Sequence, residues 1–171
     1  MEEGDGSSAP TRVSGMAELA LLRGLLLVVV VAGAAGLILE LLLLEHTESV
    51  WQWIPLVLLV VTLVASAAVA FRPGPRTFRF FRWTMVFCIA AGVLGLYFHY
   101  TGNVEWELES DPSIRGLDLV WNALRGATPA LAPAALAQLG VIGLLYAFRH
   151  PNAHTARLTS KHQPATHTET R

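Results

Sequence analysis

Cysteine is nearly missing from this chain. Cys88 is the single one in 171 residues, which excludes an intramolecular disulfide and a C-x-x-C redox pair, and with them a membrane thiol oxidoreductase. Charge is scarce too. Asp, Glu, Lys and Arg supply 15% of the sequence, against about 25% in ordinary soluble domains. No glycine loop able to cradle phosphate, no nucleophile elbow and no haem motif is present. The formal net charge of −1 offers nothing to a nucleic acid, so no such partner is expected.

Apolar length is what the chain has in quantity: 53% of residues are hydrophobic and the mean hydropathy is +0.49. Four apolar stretches, at about residues 25–44, 54–71, 83–100 and 129–148, alternate with polar loops. A crossing of the hydrocarbon core takes roughly 20 apolar residues. Four crossings use about half of the chain and leave no room for a second globular domain. The expected fold is therefore an all-α membrane protein, a four-transmembrane-helix bundle over residues 19–150. Disordered tails are expected at residues 1–18, rich in Gly, Ser and acid, and at residues 151–171. Ala32-Gly33-Ala34 imitates a signal-peptidase site, but the apolar run continues to Leu44, too long for a signal core. Pro55 suits a first helical turn, as does Pro133.

Arginine sets the orientation. The second loop carries Arg72, Arg76, Arg79 and Arg82 and no acid, whereas the first has Glu45 and Glu48 and no Lys or Arg. The third has Glu105, Glu107, Glu109, Asp111 and Asp118 against Arg115 and Arg125. By the positive-inside rule the acidic loops face outward and both termini lie in the cytoplasm. Trp51, Trp53, Tyr97 and Tyr100 mark the outer interface, and Phe78, Phe80, Phe81, Trp83, Tyr146 and Phe148 the inner one. The arginine-rich loop has a secondary use in contacting anionic lipid.

The third loop carries two apolar patterns. Residues 104–109 alternate with period two and read as a strand-like segment with Glu105, Glu107 and Glu109 on one face. Ile114, Leu117, Val120, Trp121 and Leu124 recur at helical spacing, which predicts a short amphipathic helix on the outer leaflet.

Polar residues inside the spans mark where a site could lie. Gly33, Gly36 and Glu40 share one stripe, as do Cys88, Gly92, Gly95 and His99. Small residues mark close helix contacts, so Glu40 and His99 are expected to meet inside the bundle near its outer end. Thr62 and Gln138 lie near mid-span and call for interhelical hydrogen bonds. The functional reading joins Glu40, Glu45, His46, Glu48, His99, Asn103, Glu105 and Gln138 into one outward polar cluster able to hold a cation or pass protons. Glu45, His46 and His99 are its candidate metal ligands. The plainer reading is a solvated turn at Glu45, His46 and Glu48, with Glu40 and His99 merely bonded to each other. Cys88 reads as a packing residue. His150, His154, His162 and His167 are irregularly spaced and read as part of a tail. No cofactor is indicated.

The blocks Glu45-His46, Trp51-Gln52-Trp53-Ile54-Pro55, His99-Tyr100-Thr101-Gly102-Asn103 and Thr128-Pro129-Ala130-Leu131-Ala132-Pro133 resemble those of small bacterial four-span proteins with no assigned function. The resemblance covers roughly residues 37–151. It implies a bacterial inner membrane and supplies no mechanism. Two functional classes remain, with a third behind them. One is a non-catalytic subunit or accessory protein whose partners are the bilayer and other membrane subunits, or further copies of itself. The other is a small proton- or cation-linked carrier or channel-like oligomer using Glu40, His99 and Gln138. A membrane enzyme subunit comes third, since no catalytic set is assembled.

Overall fold

The computed structural model describes residues 9–126, 131 and 133–153. Its elements are α1 (Ala9–Leu43), α2 (Val50–Phe71), α3 (Pro75–Ser110), α4 (Gly116–Arg125), α5 (Ala134–Ala147) and a final 3-10 turn, Pro151–Ala153. Among the described residues there is no strand. Three helices, α1, α2 and α3, are long and apolar enough to cross a bilayer, and α5 is a shorter apolar helix. The tail expected through residue 18 is helical from Ala9 onward. Pro10 stands in that first turn, where its missing N–H costs nothing. His154, His162 and His167 lie outside the described residues.

Two helices overshoot the hydrocarbon thickness. At 1.5 Å per residue α1 and α3 are each about 50 Å long, whereas the apolar core of a bilayer is about 30 Å. The surplus of α1 lies before its apolar run, and that of α3 lies after Tyr100. The second surplus corrects the strand expected at residues 104–109. Extending an existing helix adds hydrogen bonds without a new nucleus, and the three glutamates and Leu108 among these six residues are good helix formers.

The helices pack as a ring in which α3 touches α2 and α5, and α1 touches α2 and α5. The tightest seam lies between α3 and α5, which run antiparallel. A methyl group added at Gly92 would stand 2.6 Å from the Ala137 nitrogen, and one at Gly140 would stand 2.6 Å from the Met85 carbonyl oxygen. At Gly143 it would run into the Met85 sulfur, and at Gly95 it would approach Pro133 Cβ at 2.9 Å. The backbones can meet this closely only because no side chain intervenes. On the same stripe of α3, one turn before Gly92, the buried Cys88 meets the buried Thr62 of α2, Sγ to Oγ1 at 3.4 Å. Thr62 also donates to the Leu58 carbonyl at 2.9 Å, so its polarity is satisfied within the core.

Both proline expectations shift. α2 begins at Val50, which puts Pro55 in the second turn and leaves the Trp51 carbonyl without its helical donor. α5 begins at Ala134 with Pro133 as its N-cap, so the regular part of the expected fourth span is 14 residues, or about 21 Å.

The seam makes a direct prediction. Gly140→Ala should destabilise the protein by about 1–3 kcal/mol through overpacking. Gly36→Ala, where nothing lies within 4 Å of the added methyl, should be neutral or stabilise by up to about 1 kcal/mol. Thermal unfolding in detergent reads both, and equal effects would contradict the seam.

Candidate functional site

The C-terminal end of α1 closes with a turn that decides where the polar residues go. The Glu45 N–H donates to the Leu42 carbonyl at 3.1 Å, and the His46 N–H reaches back to the Leu41 carbonyl at 2.9 Å. This pair of bonds is a helix-closing motif whose left-handed residue is usually glycine. Here it is Glu45, with φ 51°, a conformation that costs a non-glycine residue about 1–2 kcal/mol. Beyond the turn the Trp53 indole donates to the Thr47 carbonyl at 3.2 Å, and the Ser49 N–H donates to Gln52 Oε1 at 3.0 Å, starting α2.

The turn brings His46 against His99, with ring centroids 6.4 Å apart and the planes tilted by 41°. These two are what the structure assembles from the expected cluster. His99 Nδ1 is buried and has no hydrogen-bond partner. Burial, joined by the His99 imidazole, holds the His46 pKa below its ordinary value, and Glu48 opposes the shift.

Glu40 does not join them. It is exposed, and among the described residues no hydrogen bond or ion pair links it to His99. Its stripe faces α5 rather than α3, and α5 does not extend to its level. Gly33, on the same stripe, faces Leu139 of α5, and α5 starts at Ala134, about 7.5 Å above Leu139 at 1.5 Å per residue. Glu40 lies about 10 Å above Gly33 by the same rise, past the start of α5. Gly36 has also turned away from the bundle and is exposed.

The remaining candidates disperse. Glu45, Glu48 and Glu105 are exposed. Helical geometry separates the acids of residues 105–109: Glu105 and Glu109 share a face, and Glu107 lies about 200° round the axis. Asn103 is buried and structural, its Nδ2 donating to the Ala123 carbonyl at 2.9 Å. This bond pins α4 onto the extension of α3, and Gly126 fits closely against the same side chain. Among the described residues no three of His, Cys, Asp and Glu come together to hold a metal ion. Glu45, His46 and His99 therefore do not form a ligand set.

Gln138 lies elsewhere. It is exposed on α5 and makes no hydrogen bond among the described residues. It opens onto a shallow lateral groove of about 470 Å³ between α3 and α5, lined by Gly92, Val93, Leu96, Ala134, Ala137, Val141 and Ile142. The glycines that let the two backbones approach also leave this depression on their outer side. An amide is the groove's one strongly polar side chain.

A second constellation escaped the sequence reading, at the arginine-rich end. His150 stacks on Phe78 with centroids 4.4 Å apart and tilts against Tyr146 at 5.4 Å. Its pKa is held low by burial and by the cations Arg23 and Arg82. Arg82 Nη2 donates to the Ala147 carbonyl at 2.8 Å and Arg23 Nη2 to the Arg149 carbonyl at 3.3 Å, closing the C-terminal end of α5. The signal for this cluster was weak, because His150 read as the start of a tail.

The His46 pair carries a pH prediction. Because the folded pKa of His46 is depressed, the unfolded chain binds the extra proton first. Its contribution to stability is complete above about pH 6.5, declines as pH falls through that value, and levels off below the folded pKa. Thermal unfolding of the wild type from about pH 7.5 to about pH 5 should show this decline, and His46→Gln should reduce it. An unchanged slope in the variant would remove His46 as its source. Comparison with protein families, curated sequences and solved structures gives no match to this chain.

Proposed function

We propose that this chain is a non-catalytic subunit or accessory protein of a bacterial inner membrane. In this reading it crosses the bilayer four times, with both ends in the cytoplasm and α4 on the outer leaflet. Three helices of spanning length and composition support the membrane location. Antiparallel packing of α5 on α3, with the arginine bias of the second loop, supports a fourth crossing and its direction. On α4, Leu117, Val120 and Trp121 are exposed while Ala123 is buried, as suits a helix with one side on the bundle and another in the lipid interface.

The observation that carries the subunit reading is Gln138. An amide facing hydrocarbon without a partner is costly, and a helix docked in the groove would satisfy it. The occupant we assign is a transmembrane helix of another subunit, bearing a hydroxyl or amide opposite Gln138. Gly92, Ala134 and Ala137 in the lining permit close approach. A two-fold pair of identical chains would set concave surface against concave surface, which a convex helix avoids. The carrier reading draws less support, since Glu40 and Gln138 both lie on the outside of the bundle and do not line a common path through it.

A photo-reactive side chain at Val141, which borders the groove, tests this in intact membranes. It should yield one protein adduct whose linked peptide comes from an apolar helix of a different polypeptide. Gln138→Leu should weaken that adduct about fivefold, matching roughly 1 kcal/mol for a membrane hydrogen bond, while leaving thermal unfolding unchanged. An adduct of twice the chain mass would favour the oligomer instead. Adducts to lipid alone would overturn the docking role.

A further inference from the structure

The arginine-rich end holds a cleft that the subunit reading does not use. It has a volume of about 390 Å³ and is bordered by Pro75, Arg79, Arg82, Trp83 and Val86 of α3, with Ala153 of the final turn closing one side. Each of these α3 residues lies three or four positions from another of them, which aligns the set along one broad face of the helix. The face is graded. It starts at the first residue of α3, where the helix dipole is positive, passes two guanidinium groups, and ends on an indole and an isopropyl group, both exposed.

The charge here is uncompensated within the chain. Among the described residues no carboxylate forms an ion pair with Arg23, Arg79 or Arg82. Arg82 spends one N–H on the Ala147 carbonyl at 2.8 Å, which fixes the guanidinium and leaves further donors available. Arg79 is exposed and makes no hydrogen bond among the described residues. The low pKa of His150, caused by burial and then by Arg23 and Arg82, reports the same positive field from a neighbouring position. Of this surplus, Arg79 and Arg82 are the cations that border the cleft.

We propose that this cleft binds the phosphate of an anionic phospholipid in the cytoplasmic leaflet. Arg79 and Arg82 hold the headgroup, and an acyl chain runs along Trp83 and Val86. The order of the residues selects a lipid over a free anion, because the charged end opens directly onto an apolar wall. Guanidinium groups suit phosphate, offering paired N–H donors in a planar fork. The site shares with the subunit reading only the premise that the chain spans a membrane with its arginine-rich end in the cytoplasm. It needs no partner in the α3–α5 groove.

Native mass spectrometry of the full chain in detergent provides the test, with phosphatidylglycerol and phosphatidylcholine of identical acyl chains as probes. Phosphatidylglycerol should be retained preferentially. Arg79→Gln should reduce its retention about fivefold, as expected for loss of one cation at a membrane surface. Arg76→Gln, one helical position from the cleft border, should change it by less than about twofold. Arg82→Gln should also weaken retention, but Arg79 decides the matter because it does not cap α5. Equal retention of the two lipids would overturn the site. So would an equal loss in Arg76→Gln, which would mark diffuse surface charge, or displacement of the lipid by excess inorganic phosphate, which would mark a free-anion site. Recovery of the chain in the membrane fraction before extraction separates failure of the site from failure of the membrane-spanning premise.

Discussion

The contact on which the rest depends is the approach of the α3 and α5 backbones through Gly92, Gly95, Gly140 and Gly143. Lipid tails are as apolar as leucine, so burying side chains away from them drives little association between helices in a bilayer. What remains is the number of atoms in van der Waals contact and the few hydrogen bonds that cross. The short helix α5 depends on this most, since its 14 residues offer less surface than any spanning neighbour. Its four contact points with α3 leave no room for even a methyl group without displacement. Two arginine donors at its C-terminal end complete the attachment.

Placing α5 there settles the position of the polar residues. Leu139 turns toward Gly33 of α1, which fixes the level at which α1 stands beside α5 and leaves Glu40 above the start of that helix. The turn after α1 then carries His46, rather than Glu40, against His99. On the far side of the same seam the small residues leave a groove, and Gln138 faces out of the core into it. One packing decision thus reduces the expected polar cluster to a pair of imidazoles and gives the lateral surface an amide.

The sequence made the long helices legible through composition, and Gly33, Gly92 and Gly95 legible as contact residues, whereas Gly36 of the same pattern is exposed. Gly92 and Cys88 are buried where the stripe put them, because a face of small residues on a membrane helix has few uses besides packing. The amphipathic spacing from Ile114 to Leu124 likewise marked α4, whose start follows Asp111 and the Asp111–Ser113 hydrogen bonds. Register along the axis was not legible. Glu40 and Gly33 lie within about 20° of each other on a helical wheel, yet only one of them reaches α5, and a wheel carries no height. Residues 104–109 misled for a related reason: period two over six positions is weak against a helix already running into them. The cluster around His150 was hidden because its members come from α1, α3 and the end of α5, with no shared spacing to betray them.

The most direct measurement of the central claim is a distance across the seam in a functional membrane. In a Cys88→Ser background, cysteines replacing Leu96 on α3 and Ala134 on α5 stand on opposite walls of the groove. A short bifunctional thiol reagent should join them within one chain, producing a cross-linked monomer in intact membranes. If both cysteines react and no intramolecular link forms, α3 and α5 are not neighbours, and the groove, the exposed Gln138 and the height of Glu40 lose their common cause.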